Sequence, residues 1–221
     1  MKLMINKDVE LKSSFEWIKN GFKIFREAPL QFITLALISA LLGMLPLLGA
    51  FMAPVLTARF ATLAAAVESH RLIKFSELFD DLFAHKTVRT LALINFWVSG
   101  GLLLLQYLLN KSGLGSDFAT LKGQEIMLLL LVPALLMQMA IWLSPIICLY
   151  DNTITAWGAM KLSFMACSYN IVTLLLYSVL AVAFTLLSIL PVGLGLLIWL
   201  PTVNISYYFI YKSVFIPAKS M

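Results

Sequence analysis

Charged residues are scarce in this chain, and their scarcity excludes a water-soluble globular domain. Of the 221 residues, 12% are charged and 61% are hydrophobic, whereas soluble domains average about 25% charged and about 45–50% apolar residues. The mean hydropathy of +0.94 is correspondingly high. Because so much apolar surface needs lipid around it, we expect an integral membrane protein.

Cysteine and histidine are also scarce. Cys148 and Cys167 fall near the side of the membrane predicted to be cytoplasmic, which disfavours a disulfide. His70 and His85 lie in one connection without the spacing of a metal site. The sequence lacks a nucleophile elbow, a phosphate-binding loop and paired carboxylates within an apolar stretch. We therefore predict no catalytic residue, no metal and no cofactor, and we expect that the protein is not an enzyme.

Long apolar runs are what the sequence has in abundance. A spanning helix needs roughly 20 apolar residues, and continuous runs favour helices over a barrel of alternating strands. The predicted fold class is all-α: an integral membrane bundle of six transmembrane helices in a single domain, 1–221. The predicted spans are about 30–45, 47–69, 88–109, 125–150, 170–190 and 192–213. Tilt and local thinning of the bilayer compensate for the short first span.

Prolines inside or beside these runs come in three pairs and suggest a repeated unit. The pairs are Pro46 with Pro54, Pro133 with Pro145, and Pro191 with Pro201. A proline can open a helix at a turn, and within a helix it removes a hydrogen bond and bends the axis. We predict three proline-kinked hairpins, each preceded by an amphipathic interfacial helix, with kinks at Pro54, Pro145 and Pro201. The string Thr-Leu-Ala-Leu-Ile at 34–38 and again at 90–94 supports the repeat.

The clearest amphipathic helix is predicted at residues 13–27. Its apolar side chains recur at helical spacing and are Leu11, Phe15, Ile18, Phe22 and Phe25, with Trp17 and Ile24 beside them. Lys19, Lys23 and Arg26 lie on the opposite face, so we predict an interfacial helix whose basic residues contact anionic lipid. An alternative, which is compatible with interfacial placement, is that this helix packs beneath the bundle. Two further amphipathic segments are predicted at 75–83 and 153–168.

Basic residues indicate the orientation. They concentrate before the first span, after the second span and at the C-terminal end, whereas the opposite side has Lys111 and Lys122 in one external connection. The positive-inside rule therefore predicts that both termini are cytoplasmic. The net charge of +5 then faces anionic lipid, and we expect no nucleic-acid partner.

Polar side chains within the predicted spans are the candidates for a ligand or lipid site. Arg59 is the formal charge deepest within a span, where a cation costs at least about 2.5 kcal/mol. It either binds an anionic group or is structural, bonded to carbonyls freed by a proline or snorkelling toward the head groups. Asn95, Gln138 and Asn204 are further candidates, and interhelical hydrogen bonds are the alternative for each of them.

Several segments together resemble a family of uncharacterised proteobacterial inner-membrane proteins. They are Trp17 to Pro29, Leu45-Pro46, Ala53-Pro54 and Phe75 to Phe83. The stretch around Ser144 to Ser168 is more distantly similar to YciC-like membrane proteins and to the membrane domain attached to some glycerophosphodiester phosphodiesterases. The resemblance implies a six-helix inner-membrane protein, linked in some small members to envelope integrity, and it carries over no catalytic residues.

Two functions are compatible with these features. The leading hypothesis is a non-enzymatic protein of the bacterial inner membrane that supports envelope homeostasis by binding membrane lipids or a membrane-protein partner, which includes a second copy of itself. The alternative is a small transporter or channel for an amphipathic or anionic solute, with Arg59 at its site.

Overall fold

The computed structural model describes residues 3–80, 82–111 and 121–217, and most of them are helical. The helices are α1 Ser13–Glu27, α2 Pro29–Gly43, α3 Pro46–Glu68, α4 Lys86–Lys111, α5 Leu121–Trp142, α6 Ser144–Tyr150, α7 Ala156–Tyr169, α8 Ile171–Ile189 and α9 Leu196–Val214. Two short strands, β1 Leu3–Ile5 and β2 Phe215–Pro217, form an antiparallel ribbon that the sequence did not suggest. The helical fold class is confirmed. The predicted external connection falls on 112–120, outside the described residues.

Four stretches of the described chain are long and apolar enough to cross a membrane. They are Pro46–Glu68, Lys86–Leu109, Leu131–Tyr150 and Ile171–Ile189. Helices α1 and α2 together make a fifth only if they form one broken span, and the pair is bent by 111°. Helix α2 alone has 15 residues, which is about 22 Å long against a hydrocarbon core of about 30 Å. The structure thus has four or five such spans, where the sequence predicted six.

Helix α3 is the most buried of the four, with 56% of its apolar window inside the bundle. Its alanines allow close approach of neighbouring helices, and it packs against α2, α4, α6 and α9. A Cβ added at Gly100 of α4 would lie 3.6 Å from Leu47 at the start of α3. Since α4 continues to Lys111, it extends about 16 Å beyond this contact, at about 1.5 Å per residue. Helix α4 therefore projects beyond the tip of the α2–α3 hairpin.

The three prolines predicted to kink helices lie in two kinds of position. Pro54 and Pro201 lie inside α3 and α9. Pro145 instead occupies the first turn of α6, after the helix breaks at Leu143. A proline in a first turn needs no intrahelical donor. The structure thus places a helix break beside Pro145, within the apolar stretch Leu131–Tyr150.

A serine hydroxyl forms part of that helix break. Ser163 of α7 donates to the Met139 carbonyl at 2.7 Å and accepts from the Leu143 backbone N–H at 3.2 Å. In an uninterrupted helix the Leu143 N–H would bond to Met139 directly. Inserting a side chain between these two groups is a recognised cause of a helix break. The Ser144 hydroxyl donates to the Ile141 carbonyl at 2.8 Å, the group that Pro145 leaves without a donor.

Helix α1 has the predicted bounds but buries only part of its predicted apolar face. Its buried residues are Ser14, Trp17, Gly21, Ile24 and Phe25, whereas Phe15 and Phe22 are 56% and 43% exposed. The buried stripe packs mainly on α9. A Cβ at Gly21 would lie 2.7 Å from the Thr202 carbonyl oxygen, so the two backbones approach closely there. The helix is therefore fixed to the bundle by one stripe and exposes aromatic residues on another.

Of the other two predicted amphipathic segments, one forms turns and the other forms a helix. The segment at 75–83 forms a 3-10 helix, Ser76–Leu78, followed by turns, and the prediction of an interfacial helix there is wrong among its described residues. The Glu77 carboxylate pairs with Arg71 and accepts the Lys74 backbone N–H, contacts that favour a compact turn over a longer helix. A helix is confirmed in the third segment, where α7 forms and the Thr155 hydroxyl caps its first turn.

Both ends of the described chain lie together at one end of the bundle. Strand β1 pairs with β2, and the Asn6 backbone N–H bonds to the Val214 carbonyl at 2.8 Å. The Trp17 indole donates to the Ser213 hydroxyl at 2.8 Å. Asn170 donates to the Asn6 carbonyl and so attaches the start of α8 to the same end. These bonds join the N-terminal segment to α8 and to α9.

Candidate functional site: the outer face of α1 and its groove

The outer face of α1 combines cations with aromatic side chains. Lys19, Lys23 and Arg26 are all exposed, and their spacing places them along one side of the helix. The exposed rings of Phe15 and Phe22 lie on the neighbouring face. Cations beside apolar side chains on one helix suit the boundary between head groups and acyl chains.

A groove of about 680 Å³ separates this face from the α8–α9 hairpin. Its walls are mostly apolar and are formed by Phe15, Ile18, Phe22, Phe184, Leu187, Ile198 and Trp199. The ring centroids of Phe184 and Trp199 lie 5.1 Å apart in a tilted arrangement, and the Trp199 indole donates to the Thr185 hydroxyl at 2.8 Å. Glu16 and Lys19 are the charged residues that line the groove. The groove therefore has apolar walls and one group of each charge.

A second groove, of about 500 Å³, lies between α5 and α8. Exposed Gln138 lines it, together with the aromatic residues Trp142, Tyr177 and Tyr207. Their rings pack at centroid distances of 5.3 to 6.5 Å. Gln138 is thus on an open, apolar surface rather than in an interhelical contact.

Arg59 contacts the connection between α3 and α4 and is not isolated within the bundle. Its Nε donates to the Leu78 carbonyl at 3.3 Å, a group of the 3-10 turn rather than of a proline kink. Arg59 also lines a cavity of about 180 Å³ that includes His85 and Thr62. The Lys74 backbone N–H is the main group that holds the pKa of Glu77 below its ordinary value, and Arg71 adds to this effect. The Arg59 contact therefore holds the turn against α3, and the contacts of Glu77 hold the connection itself together.

The two asparagines have structural partners. Asn95 of α4 donates to the Ala50 carbonyl of α3 at 2.6 Å. Ala50 lies four residues before Pro54, which has no N–H to offer it, so Asn95 replaces the missing donor. Asn204 donates to the Leu200 carbonyl within α9 at 2.8 Å. The interhelical alternative is thus confirmed for Asn95, whereas the bond of Asn204 is local.

The four predicted ligand candidates do not come together in one site. Arg59 lines the small cavity and Gln138 lines the second groove, while Asn95 and Asn204 bond to backbone carbonyls elsewhere. Sequence reasoning missed Glu16 and Trp199 as groove residues. Glu16 lies three residues before Lys19, but nothing in the sequence indicates that the α8–α9 hairpin faces this part of α1.

Sulfur and carboxylate groups in the described residues are not arranged as a metal centre. No cluster of three or more His, Cys, Asp or Glu side chains that could hold an ion occurs among them. Cys148 and Cys167 are buried free thiols. Comparison with protein families, curated proteins and solved structures gives no match for this chain.

Proposed function

We propose that this chain is a non-enzymatic protein of the bacterial inner membrane that supports envelope homeostasis by binding membrane lipid through α1. The exposed face of α1 carries the proposal, because Lys19, Lys23 and Arg26 lie beside exposed Phe15 and Phe22. The opposite stripe is held by α9, so the outer face has a fixed orientation relative to the bundle.

The proposed arrangement places six helices in the bilayer and both termini on the cytoplasmic side. Four single spans satisfy length and composition. Helix α2 crosses as a fifth, with local thinning of the bilayer and with α1 at the surface, and α9 adds a sixth. Helix α9 is less apolar, but its Ser206 and Tyr208 are buried within the bundle. Pairing of β1 with β2 supports an even number of crossings, since it requires both ends on one side.

The electrostatic contribution is large enough to measure. A lysine or arginine near an anionic membrane surface contributes about 1 kcal/mol. The three cations of α1 together give about 3 kcal/mol, or roughly a hundredfold preference at full additivity. Replacing them should therefore remove most of any enrichment of anionic lipid around the protein.

The test compares two triple variants with the same loss of charge. Wild type, K19Q/K23Q/R26Q and the control K74Q/K86Q/K161Q are reconstituted in phosphatidylcholine with a minor fraction of phosphatidylglycerol. Polymer-bounded nanodiscs are then extracted, and the lipids around each protein are measured by mass spectrometry. We expect phosphatidylglycerol enrichment in wild type and in the control, and its loss in the α1 variant.

Two outcomes would contradict the proposal. Equal enrichment in all three proteins would exclude α1 as the lipid contact. Recovery of a stoichiometric second protein from native membranes, lost in the α1 variant, would make α1 a protein-binding face. In cells, we expect a deletion strain to be sensitive to envelope stress and the α1 variant to reproduce that sensitivity, whereas the control should not.

The transporter alternative rests on the cavity beside Arg59. That cavity, about 180 Å³, is below the range of about 300–1,000 Å³ typical of ligand sites. The contact of Arg59 with Leu78 accounts for the guanidinium in structural terms. We therefore expect R59L to lower the melting temperature, and R59K to lower it less. Ligand-dependent stabilisation that R59L abolishes without a change in melting temperature would favour the transporter.

A further inference from the structure

The groove beside α1 has two opposite charges close together. Glu16 and Lys19 both line it, and residues three apart lie on the same side of a helix. Lys23 and Arg26 are on the outer face of α1 and do not line the groove. The groove therefore differs in its charge from the basic outer face, which suits anionic lipid in general.

The rest of the groove suits a hydrocarbon chain. Its volume of about 680 Å³ is within the range of about 300–1,000 Å³ found for small-molecule sites. The groove runs from Glu16 and Lys19 on α1 to Pro191 and Gly195 at the tip of the α8–α9 hairpin. The apolar walls suit an acyl chain. One positive and one negative side chain at one side of the groove suit a zwitterionic head group.

We propose that this groove binds one phospholipid with a zwitterionic, primary-amine head group, such as phosphatidylethanolamine. One acyl chain lies along Phe22, Ile198 and Trp199, the Lys19 ammonium pairs with the lipid phosphate, and the Glu16 carboxylate accepts N–H bonds from the lipid amine. The inference rests on the proposed function in one respect, namely that α1 lies at the membrane surface.

Other phospholipid head groups pair less well with Glu16 and Lys19. Phosphatidylcholine carries a quaternary ammonium, which has no N–H to donate to Glu16. Phosphatidylglycerol can pair with Lys19 but offers Glu16 no cation, so the carboxylate repels its phosphate. Hydrogen bonds to charged groups contribute about 1.5–3 kcal/mol, so we expect phosphatidylethanolamine to bind at least about tenfold more tightly than either competitor.

The experiment is native mass spectrometry of the delipidated full-length protein in detergent. Dioleoyl phosphatidylethanolamine, phosphatidylcholine and phosphatidylglycerol are titrated separately. Wild type should retain one phosphatidylethanolamine with about a tenfold preference. E16Q keeps an acceptor oxygen but loses the negative charge, so it should reduce the preference for phosphatidylethanolamine over phosphatidylcholine. E27Q, on the same helix outside the groove, should keep the preference.

A second pair of variants tests the walls. I198W fills the groove and should abolish retention, whereas L186W adds the same bulk at another exposed position of the hairpin and should not. Equal binding of all three lipids to wild type, preference for phosphatidylglycerol, or an unchanged preference in E16Q would each overturn the inference. The double variant K23Q/R26Q leaves Glu16 and Lys19 of the groove intact. Loss of phosphatidylglycerol enrichment in this variant tests the anionic outer face separately from the groove.

Discussion

Single polar side chains provide hydrogen-bond partners where prolines and helix breaks leave backbone groups without them. Asn95 donates to the Ala50 carbonyl, which Pro54 leaves without a donor. Ser144 donates to the Ile141 carbonyl, which Pro145 leaves without one. Ser163 bridges the Leu143 N–H and the Met139 carbonyl. In lipid no water replaces a missing partner, so each unsatisfied group is costly. These residues therefore stabilise the fold, and a polar residue within an apolar helix need not indicate a ligand.

Replacing Asn95 should destabilise the protein more than replacing Asn204. N95L leaves the Ala50 carbonyl without a donor, and we expect a loss of about 1–3 kcal/mol. N204L should cost less, because the Leu200 carbonyl is also within reach of the helix backbone. The measurement is the melting temperature in detergent. The double variant P54A/N95L restores an N–H to Ala50 and should recover part of the loss. Equal effects of N95L and N204L would contradict this account.

Cys167 should be unreactive in the folded protein. Burial raises the pKa of its thiol to about 12, so thiolate is rare at neutral pH and remains rare at pH 9. In a C148A background, we expect maleimide to modify Cys167 only after denaturation. K161C, which places a thiol at an exposed position of the same helix, should react within minutes. Rapid labelling of folded Cys167 would show that α7 does not pack as described.

At the scale of the elements, the contact of α1 with α9 determines the site. The apolar periodicity and Pro29 predicted the bounds of α1 correctly. They also placed Trp17, Ile24 and Phe25 on its apolar face. They could not predict the burial of Ser14 and Gly21, which contribute little hydrophobicity and are buried for their small size. Periodicity shows where apolar side chains lie on a helix but not which neighbour covers them. The same limitation hid the groove, which depends on how the α8–α9 hairpin lies beside α1.

Gly21 gives a direct test of this contact. G21A would place a Cβ 2.7 Å from the Thr202 carbonyl oxygen, so α1 must shift, and overpacking of this kind typically costs about 1–3 kcal/mol. G101A in α4 meets no atom within 4 Å and should be neutral or stabilising, since alanine favours a helix. A lower melting temperature for G21A alone is the expected result; equal melting temperatures would contradict the packing of α1 on α9.

At the scale of the whole molecule, composition and continuous apolar runs predicted a helical membrane protein. The number of spans differs: the described residues have four stretches that could cross a membrane, or five with α1 and α2 as one broken span, where the sequence predicted six. Helix α2 has only 15 residues, and α9 carries polar residues that are buried inside the bundle. The segment at 75–83 illustrates the same point, because Arg71 and Lys74 engage Glu77 and Arg59 engages Leu78. Such tertiary contacts decide local structure and are not visible in a periodic pattern.

The orientation of the bundle is the basis of both lipid proposals, since α1 must face the cytoplasmic leaflet. Cysteines introduced as L11C and K111C, each in a C148A/C167A background, are both at exposed positions. An impermeant maleimide is applied to intact spheroplasts and, in parallel, to permeabilised ones. We predict that K111C is labelled in both preparations and L11C only after permeabilisation. Labelling of L11C in intact spheroplasts, with K111C protected, would contradict the account.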